Sequence, residues 1–228
     1  VFGMVFGSEL NAQGWENYFG GAAEEEISEV VQTKSDGYTV TGWSESFSDD
    51  NDPDVYLGRV DVDGNLVWEK AIDEGFIERG YAMIHTSDGG FLIAGHSKLE
   101  VTDTDFDAYL VKVTSEGEIE WSNTYGGDSD EIIYSIDETS DGGYILAGRS
   151  SSYSGDETED LYLVKVTSTG TEEWYKTFGG SLDDRATCVV VAPDNGYYVL
   201  GQLKTGSSTA LIYLLKTDAS GSAEWNQT

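Results

Sequence analysis

Tryptophan recurs at a nearly fixed interval along the 228-residue chain. The spacings between successive members of the series are 53, 53, 53 and 51 residues, for Trp15, Trp68, Trp121, Trp174 and Trp225. A period of about 50 residues is typical of repeat architectures, in which each unit buries an apolar face only by packing against its neighbours. The tryptophans are therefore predicted to lie at equivalent positions in a shared core.

Each repeat contains four short segments with the composition of β-strands. In the third repeat they cover roughly residues 131–139, 143–150, 160–167 and 171–178. Asp-Gly and Gly-Gly pairs between these segments are typical of tight hairpins, and no segment has a helical period. Four antiparallel strands in about 50 residues indicate a blade of a β-propeller. The predicted fold class is all-β.

The repeat also has a motif signature. An aromatic–Gly–Gly sequence follows the tryptophan in YFGG (18–21), TYGG (124–127) and TFGG (177–180), whereas the second repeat reads AIDE (71–74). A T-x-D-G-G turn and a D-x-Y-L-x-K strand come next in the third repeat. These motifs resemble the bacterial and archaeal seven-bladed β-propeller (SBBP) repeat over nearly the whole chain. The resemblance implies a secreted or cell-surface protein, usually without assigned catalysis, and it implies no site residues.

The boundaries predict four complete blades and part of a fifth within one domain, residues 1–228. If the Trp strand is outermost, the complete blades are residues 22–71, 75–124, 128–177 and 181–228, and residues 1–20 supply only an outer hairpin. Such a hairpin exposes a strand edge that can pair with another chain. Three alternatives remain open: a piece of a longer array, a five-bladed ring with one thin blade, or a gap filled by another copy.

The net charge of the chain restricts which partners it is expected to bind. The chain carries 43 acidic against 12 basic residues, a net charge of −31, so we expect neither nucleic acid nor anionic membrane surfaces to bind. The sequence contains no apolar run long enough for a transmembrane helix. Cys188 is the only cysteine, and the apolar run around it predicts a core position.

Acidic residues recur at two points of each repeat. Because the loop before the first strand and the loop before the third strand share one face of a blade, their carboxylates are expected to lie together. Alternating carboxylates are typical ligands of Ca²⁺, and the alternative is that they hydrogen-bond loop backbone. The candidate ligands are Glu25, Asp54, Glu78, Asp107, Glu131, Asp160 and Asp184.

The sequence lacks the local motifs of common hydrolases, metalloproteases and nucleotide-binding enzymes. His85 and His96 do not recur between repeats, which favours structural roles. The main prediction is therefore a non-catalytic extracellular or cell-surface module that binds other copies of itself, or a surface protein or glycan. The alternatives are a Ca²⁺-dependent glycan- or protein-binding propeller and, further, a glycan hydrolase using acid pairs.

Overall fold

The computed structural model describes residues 16–33, 37–47, 52–98, 100–154 and 158–228. Within these ranges the chain forms sixteen β-strands and no helix. Helices that could cross a membrane are accordingly absent from the part of the chain that the structure describes. The predicted all-β fold is confirmed.

The strands form four sheets, each built from four consecutive antiparallel strands. The first sheet contains β1 (Glu25–Gln32), β2 (Tyr38–Ser44), β3 (Asp54–Val60) and β4 (Leu66–Ile72). The second contains β5 (Ile77–His85), β6 (Phe91–Lys98), β7 (Asp107–Val113) and β8 (Ile119–Tyr125). The third contains β9 (Glu131–Glu138), β10 (Tyr144–Ser150), β11 (Asp160–Val166) and β12 (Glu172–Phe178). The fourth contains β13 (Arg185–Val191), β14 (Tyr197–Gly206), β15 (Thr209–Thr217) and β16 (Ala223–Gln227).

The sheets pack face to face in chain order. The first strand of each sheet lies beside the first strand of the next, so that β5 packs on β1, β9 on β5 and β13 on β9. Three apolar cores fill the interfaces, with fully buried side chains such as Leu57, Leu110 and Leu163. Burying one such side chain contributes about 1.5–3 kcal/mol, so the interfaces dominate the stability of the array.

Three tryptophans of the series, Trp68, Trp121 and Trp174, contact the following sheet. Trp121 lies against Tyr144 and Trp174 against Tyr197, with ring centroids 6.5 and 5.9 Å apart. Trp225, in the last sheet, has no following sheet and is 42% exposed. The prediction that it lies in a core is therefore wrong, and Trp15 lies outside the described residues.

Among the described residues, neither the first nor the fourth sheet is covered on its outer face. Ile27 and Val30 of β1 are about half exposed, and Ile212 of β15 is 74% exposed. No packing comparable to that between neighbouring sheets joins β1 to β13 among the described residues. Cys188, predicted to be buried, is exposed, because no described sheet packs on the far side of the fourth sheet.

A partial fifth blade is not found in the described part of the chain. Most of residues 1–20 lies outside the described residues, and residues 16–20 form no strand. Asn17 instead donates a hydrogen bond from Nδ2 to the carbonyl oxygen of Gly64, 2.5 Å away, in the β3–β4 turn.

Each of the last three sheets has a buried lysine at one edge. Lys165 is 4% exposed, and its ammonium group lies 3.1 Å from Asp141 and 2.8 Å from Glu173. It also donates a hydrogen bond to the carbonyl of Val166, 3.1 Å away. Lys112 and Lys216 make the same contacts in their sheets. The recurrence shows that the Asp of the D-G-G turn and the Lys of D-x-Y-L-x-K are structural.

Candidate functional site

Every acid predicted to bind a cation lies at or beside the start of a first or third strand. These two strands run in the same direction in an antiparallel sheet, so both begin at one edge, which we call the acidic edge. The residues are Glu25, Asp54, Glu78, Asp107, Glu131 and Asp160 within the strands, and Asp184 immediately before β13.

The acids form pairs between neighbouring sheets. The backbone N–H of Glu131 donates to the carbonyl of Phe106, 2.7 Å away, which brings the Glu131 side chain beside Asp107. Equivalent bonds join Glu78 to Pro53 (2.7 Å) and Asp184 to Glu159 (2.5 Å). The third strand of one sheet and the first strand of the next therefore place two carboxylates together. Glu25 has no preceding sheet among the described residues.

The aromatic–Gly–Gly motif provides donors and space for these pairs. The N–H of Gly127 donates to Oε2 of Glu131 and that of Gly180 to Oδ2 of Asp184, each at 2.8 Å. Gly21 bonds Glu25 in the same way at 2.9 Å. These contacts support backbone hydrogen bonding, the structural alternative, for Glu25, Glu131 and Asp184.

Burial of the pairs changes their protonation. Desolvation, with the neighbouring charge of Glu131, raises the pKa of Asp107 to about 6. Desolvation, with the charges of Asp54 and Asp73, raises the pKa of Glu78 to about 8. In both cases burial is the larger cause, because a carboxylate loses hydration in a low-dielectric environment.

The second pair departs from the pattern. Asp73 occupies the position of Gly126 and Gly179, so a third carboxylate joins Asp54 and Glu78. Carboxylate oxygens of the three residues lie within 4.8 Å of one another. Asp54 and Glu78 are buried, whereas Asp73 is exposed. The departure was visible in the sequence AIDE, but its relation to Asp54 required the sheet packing.

A second group of side chains lies near the acidic edge on the first two strands of the first three sheets. We call it the ring cluster, and it consists of Trp43, Arg79, Tyr81, His96, Tyr134 and Arg149.

Contacts between rings and guanidinium groups connect the ring cluster across three sheets. The guanidinium of Arg79 lies 4.3 Å from the ring centroid of Trp43. Tyr81 lies 5.3 Å from His96 and 5.9 Å from Tyr134, between ring centroids. Arg149 donates from Nε to the Tyr134 hydroxyl at 3.2 Å. The arrangement places aromatic rings and cationic donors side by side, with Trp43 and His96 buried and the other four side chains partly exposed.

The ring cluster contains exceptions to the repeat. Trp43, His96 and Arg149 occupy one repeat position, where the fourth repeat has Gln202. Neighbouring repeats therefore place a different chemical group at the same point of the fold. This position therefore differs from that of the buried lysines, which recur because they serve the fold of each sheet.

Electrostatics in the ring cluster favour a neutral imidazole between two cations. Burial, together with the charges of Arg79 and Arg149, lowers the pKa of His96 to about 3. Two carboxylates border the cluster: Glu159 forms an ion pair with Arg149, and Glu26 acts electrostatically on Tyr81.

The ring cluster was not recognised from the sequence. The sequence predicts a structural role for His96, and its motifs did not single out the tyrosines or arginines of the cluster. A signal was nevertheless present: Trp43, His96 and Arg149 all follow the glycine that ends the second-strand motif. Reading that position across repeats separates variable residues from structural ones.

A cavity of about 430 Å³ lies at the opposite edge, between the third and fourth sheets. Its lining includes Lys165, Asp141 and Trp174. Since these residues belong to the recurring lysine contacts and the tryptophan series, the cavity is a weaker candidate than the acidic edge.

Comparison with known proteins identifies the fold but no family. No family model matches the chain, and no curated protein matches it. A thermostable family-43 glycoside hydrolase has a TM-score of 0.56 at 12% identity, over 90% of this chain and 76% of that chain. At this identity the likeness shows a shared fold. The predicted resemblance to the SBBP repeat stays a prediction.

Two further solved structures have lower TM-scores. A protein of unknown function from Bacteroides caccae has a TM-score of 0.46 at 11% identity, over 89% of this chain and 81% of that chain. Sqt1 from Chaetomium thermophilum has a TM-score of 0.45 at 14% identity, over 87% of this chain and 44% of that chain.

The main functional prediction requires correction. The solved structure with the TM-score of 0.56 is a glycoside hydrolase, and the comparisons give no support to a non-catalytic, self-assembling module. The glycan-hydrolase alternative agrees better with this likeness.

Proposed function

We propose that the four sheets are blades of a β-propeller and that the chain belongs to a glycan-hydrolysing enzyme, with its substrate bound over the ring cluster. The observation that carries the proposal is the continuous set of rings and guanidinium groups over three sheets. The fold shared with a family-43 glycoside hydrolase supports the reaction class.

The ring cluster has the chemistry of a sugar-binding surface. Aromatic faces pack against the apolar C–H faces of sugar rings, and hydroxyl and guanidinium donors bond sugar oxygens. The Nε–H of Arg79 is buried and has no acceptor among the described residues. A donor in that state gains a full hydrogen bond when an acceptor arrives. A glycan that carries carboxylates suits Arg79, because the guanidinium attracts a carboxylate locally against the repulsion of the acidic protein surface.

Glycoside hydrolysis requires two carboxylates, one that protonates the leaving oxygen and one that activates water or attacks the sugar. We assign these roles to the two acids that border the ring cluster. The ion pair with Arg149 holds the carboxylate of Glu159 in place, which suits the base or nucleophile. Glu26 is exposed on β1, where a bound glycan can reach it, and we assign it the role of proton donor.

The test is release of reducing ends from neutral and uronate-containing polysaccharides. We expect cleavage of a uronate-containing substrate and a loss of about 10²–10⁴-fold in rate for Glu26→Gln and Glu159→Gln, the range for removing a general acid or base. Glu116→Gln is the matched control, because Glu116 is exposed in a hairpin turn at the opposite edge.

The proposal fails if the wild-type protein cleaves none of the polysaccharides. The assignment of roles fails if a substrate is cleaved and both variants retain the wild-type rate. Thermal melting of each variant separates lost chemistry from lost folding.

A further inference from the structure

Glu78 is a buried carboxylate whose two oxygens accept no hydrogen bond from any described residue. Its side chain is fully buried. Glu131, at the same repeat position, is equally buried but accepts bonds from Ser150 Oγ (2.6 Å), Ser152 N (3.1 Å) and Gly127 N (2.8 Å). The fold therefore supplies hydrogen-bond donors to this carboxylate in the third sheet but not in the second.

Ser97 gives a second, independent sign of a missing partner. It is paired in register with Glu78 across β5 and β6, as Ser150 is with Glu131 across β9 and β10. The hydroxyl of Ser97 is buried and has no hydrogen-bond partner among the described residues. Two adjacent oxygen-bearing groups thus lack the contacts that their equivalents make.

Asp73 replaces the donor-bearing glycines with a further acceptor. A Cβ on Gly126 would overlap Oδ1 of Asp107 and approach Oε2 of Glu131 to 2.5 Å. A side chain at this position therefore points into the acid pair, and in the second sheet that side chain is a carboxylate. Three carboxylates with oxygens within 4.8 Å of one another repel unless a cation or a proton is bound among them.

We propose that Asp54, Asp73 and Glu78 bind one hard divalent cation, and that Ca²⁺ is the ion that fits them best. All three supply carboxylate oxygens, the donors that hard cations prefer, and Ser97 adds a neutral oxygen beside them. Ca²⁺ accepts six to eight oxygens in irregular geometry, whereas Mg²⁺ requires a near-ideal octahedron. Asp73 is exposed and provides a path for the ion.

This site is distinct from the ring cluster and does not depend on the proposed hydrolase function. The cation links the first sheet, through Asp54 and Asp73, to the second sheet, through Glu78. Its role is therefore to hold the two sheets together.

The test is isothermal titration calorimetry with CaCl₂ in 0.15 M NaCl, where diffuse binding to the acidic surface is screened. We expect one saturable site with a Kd on the order of 10⁻⁴ M, the range of extracellular Ca²⁺ sites. At 100 times the Kd, bound ion should raise the melting temperature by about 5–10 °C. Asp73→Gly, which restores the glycine of the repeat, and Glu78→Gln should abolish both effects.

Two controls separate a built site from surface charge. Asp128→Asn removes an exposed acid of the third repeat and should leave the titration unchanged. Glu131→Gln removes a buried acid that already has donors and should leave Ca²⁺ binding unchanged whatever its stability. Absence of saturable binding in the wild-type protein overturns the proposal, and so does binding that Asp73→Gly leaves intact. Because Asp73 is exposed, that variant folds even if Glu78→Gln does not.

Discussion

Two adjacent glycines that follow the third sheet, Gly179 and Gly180, provide a sharp test of how closely the acid pairs are packed. A Cβ on Gly179 would overlap Asp160 Oδ1 and would lie 2.7 Å from Asp160 Cγ and 3.0 Å from Asp184 Oδ2. Asp184 cannot move away easily, because its carboxylate accepts bonds from the N–H groups of Gly180 (2.8 Å) and Lys204 (2.7 Å). A Cβ on Gly180 meets only Asp184 Oδ2, at 3.8 Å.

Gly179→Ala should therefore cost the free energy of overpacking a tight site, about 1–3 kcal/mol. For a chain of this size that lowers the melting temperature by about 2–12 °C. Gly180→Ala should change the stability by less than about 0.5 kcal/mol in either direction.

The assay is thermal unfolding of both variants beside the wild-type protein, monitored by circular dichroism at neutral pH. If the two variants melt within 1 °C of each other, the described packing of Asp160 and Asp184 around Gly179 is refuted.

Three other variants or reagents test separate features. Lys165→Met should lower stability by about 1–2 kcal/mol at pH 7 through loss of charge-assisted bonds. Hydrogen bonds from Thr139 and Lys165 lower the pKa of Asp141 to about 2, so the contribution of Asp141 is present above its unfolded pKa of 3.8 and is lost as pH falls through about 2. The difference in stability between the variant and the wild-type protein should therefore be smaller at about pH 2 than at about pH 7, and an unchanged difference would contradict this. Asp107→Asn should be neutral at pH 4 and stabilising by about 1–3 kcal/mol at pH 8 in urea melts. Burial raises the pKa of Asp107 from 3.8 to about 6, so the stability that the wild-type side chain contributes is lost as pH rises through 6. Equal effects of the substitution at both pH values would contradict this. The Cys188 thiol should react with one equivalent of a disulfide reagent in the folded protein, and a reaction that requires denaturant would show that β13 is covered.

Periodicity predicted the sheets because every repeat reports the same local pattern of strand and turn. The turn glycines, the Lys of D-x-Y-L-x-K and the strand tyrosines recur for reasons internal to one sheet and its neighbour. The sequence could not show that Trp225 and Cys188 are exposed, because their burial depends on whether another sheet follows.

The candidate sites were harder to predict because both depend on contacts between sheets. The acid pairs join residues 24 positions apart in adjacent repeats, such as Asp107 and Glu131, rather than neighbours within a loop. In the sequence, Asp73 was notable only because AIDE lacks the Gly-Gly pair of the other repeats. The ring cluster lies at positions where the repeats differ, so a search for recurring motifs could not find it.

The bond between the N–H of each acid and the carbonyl before the preceding third strand gives the array a direction. Each sheet supplies an acceptor to the sheet that follows and takes one from the sheet before it. When one sheet unfolds, the sheet before it is left with an unpaired carbonyl and the sheet after it with an unpaired N–H. These losses are unequal, because an unpaired N–H is tolerated less well than an unpaired carbonyl. Damage at Asp160 should loosen the fourth sheet before the second, and local opening should spread toward the carboxyl terminus.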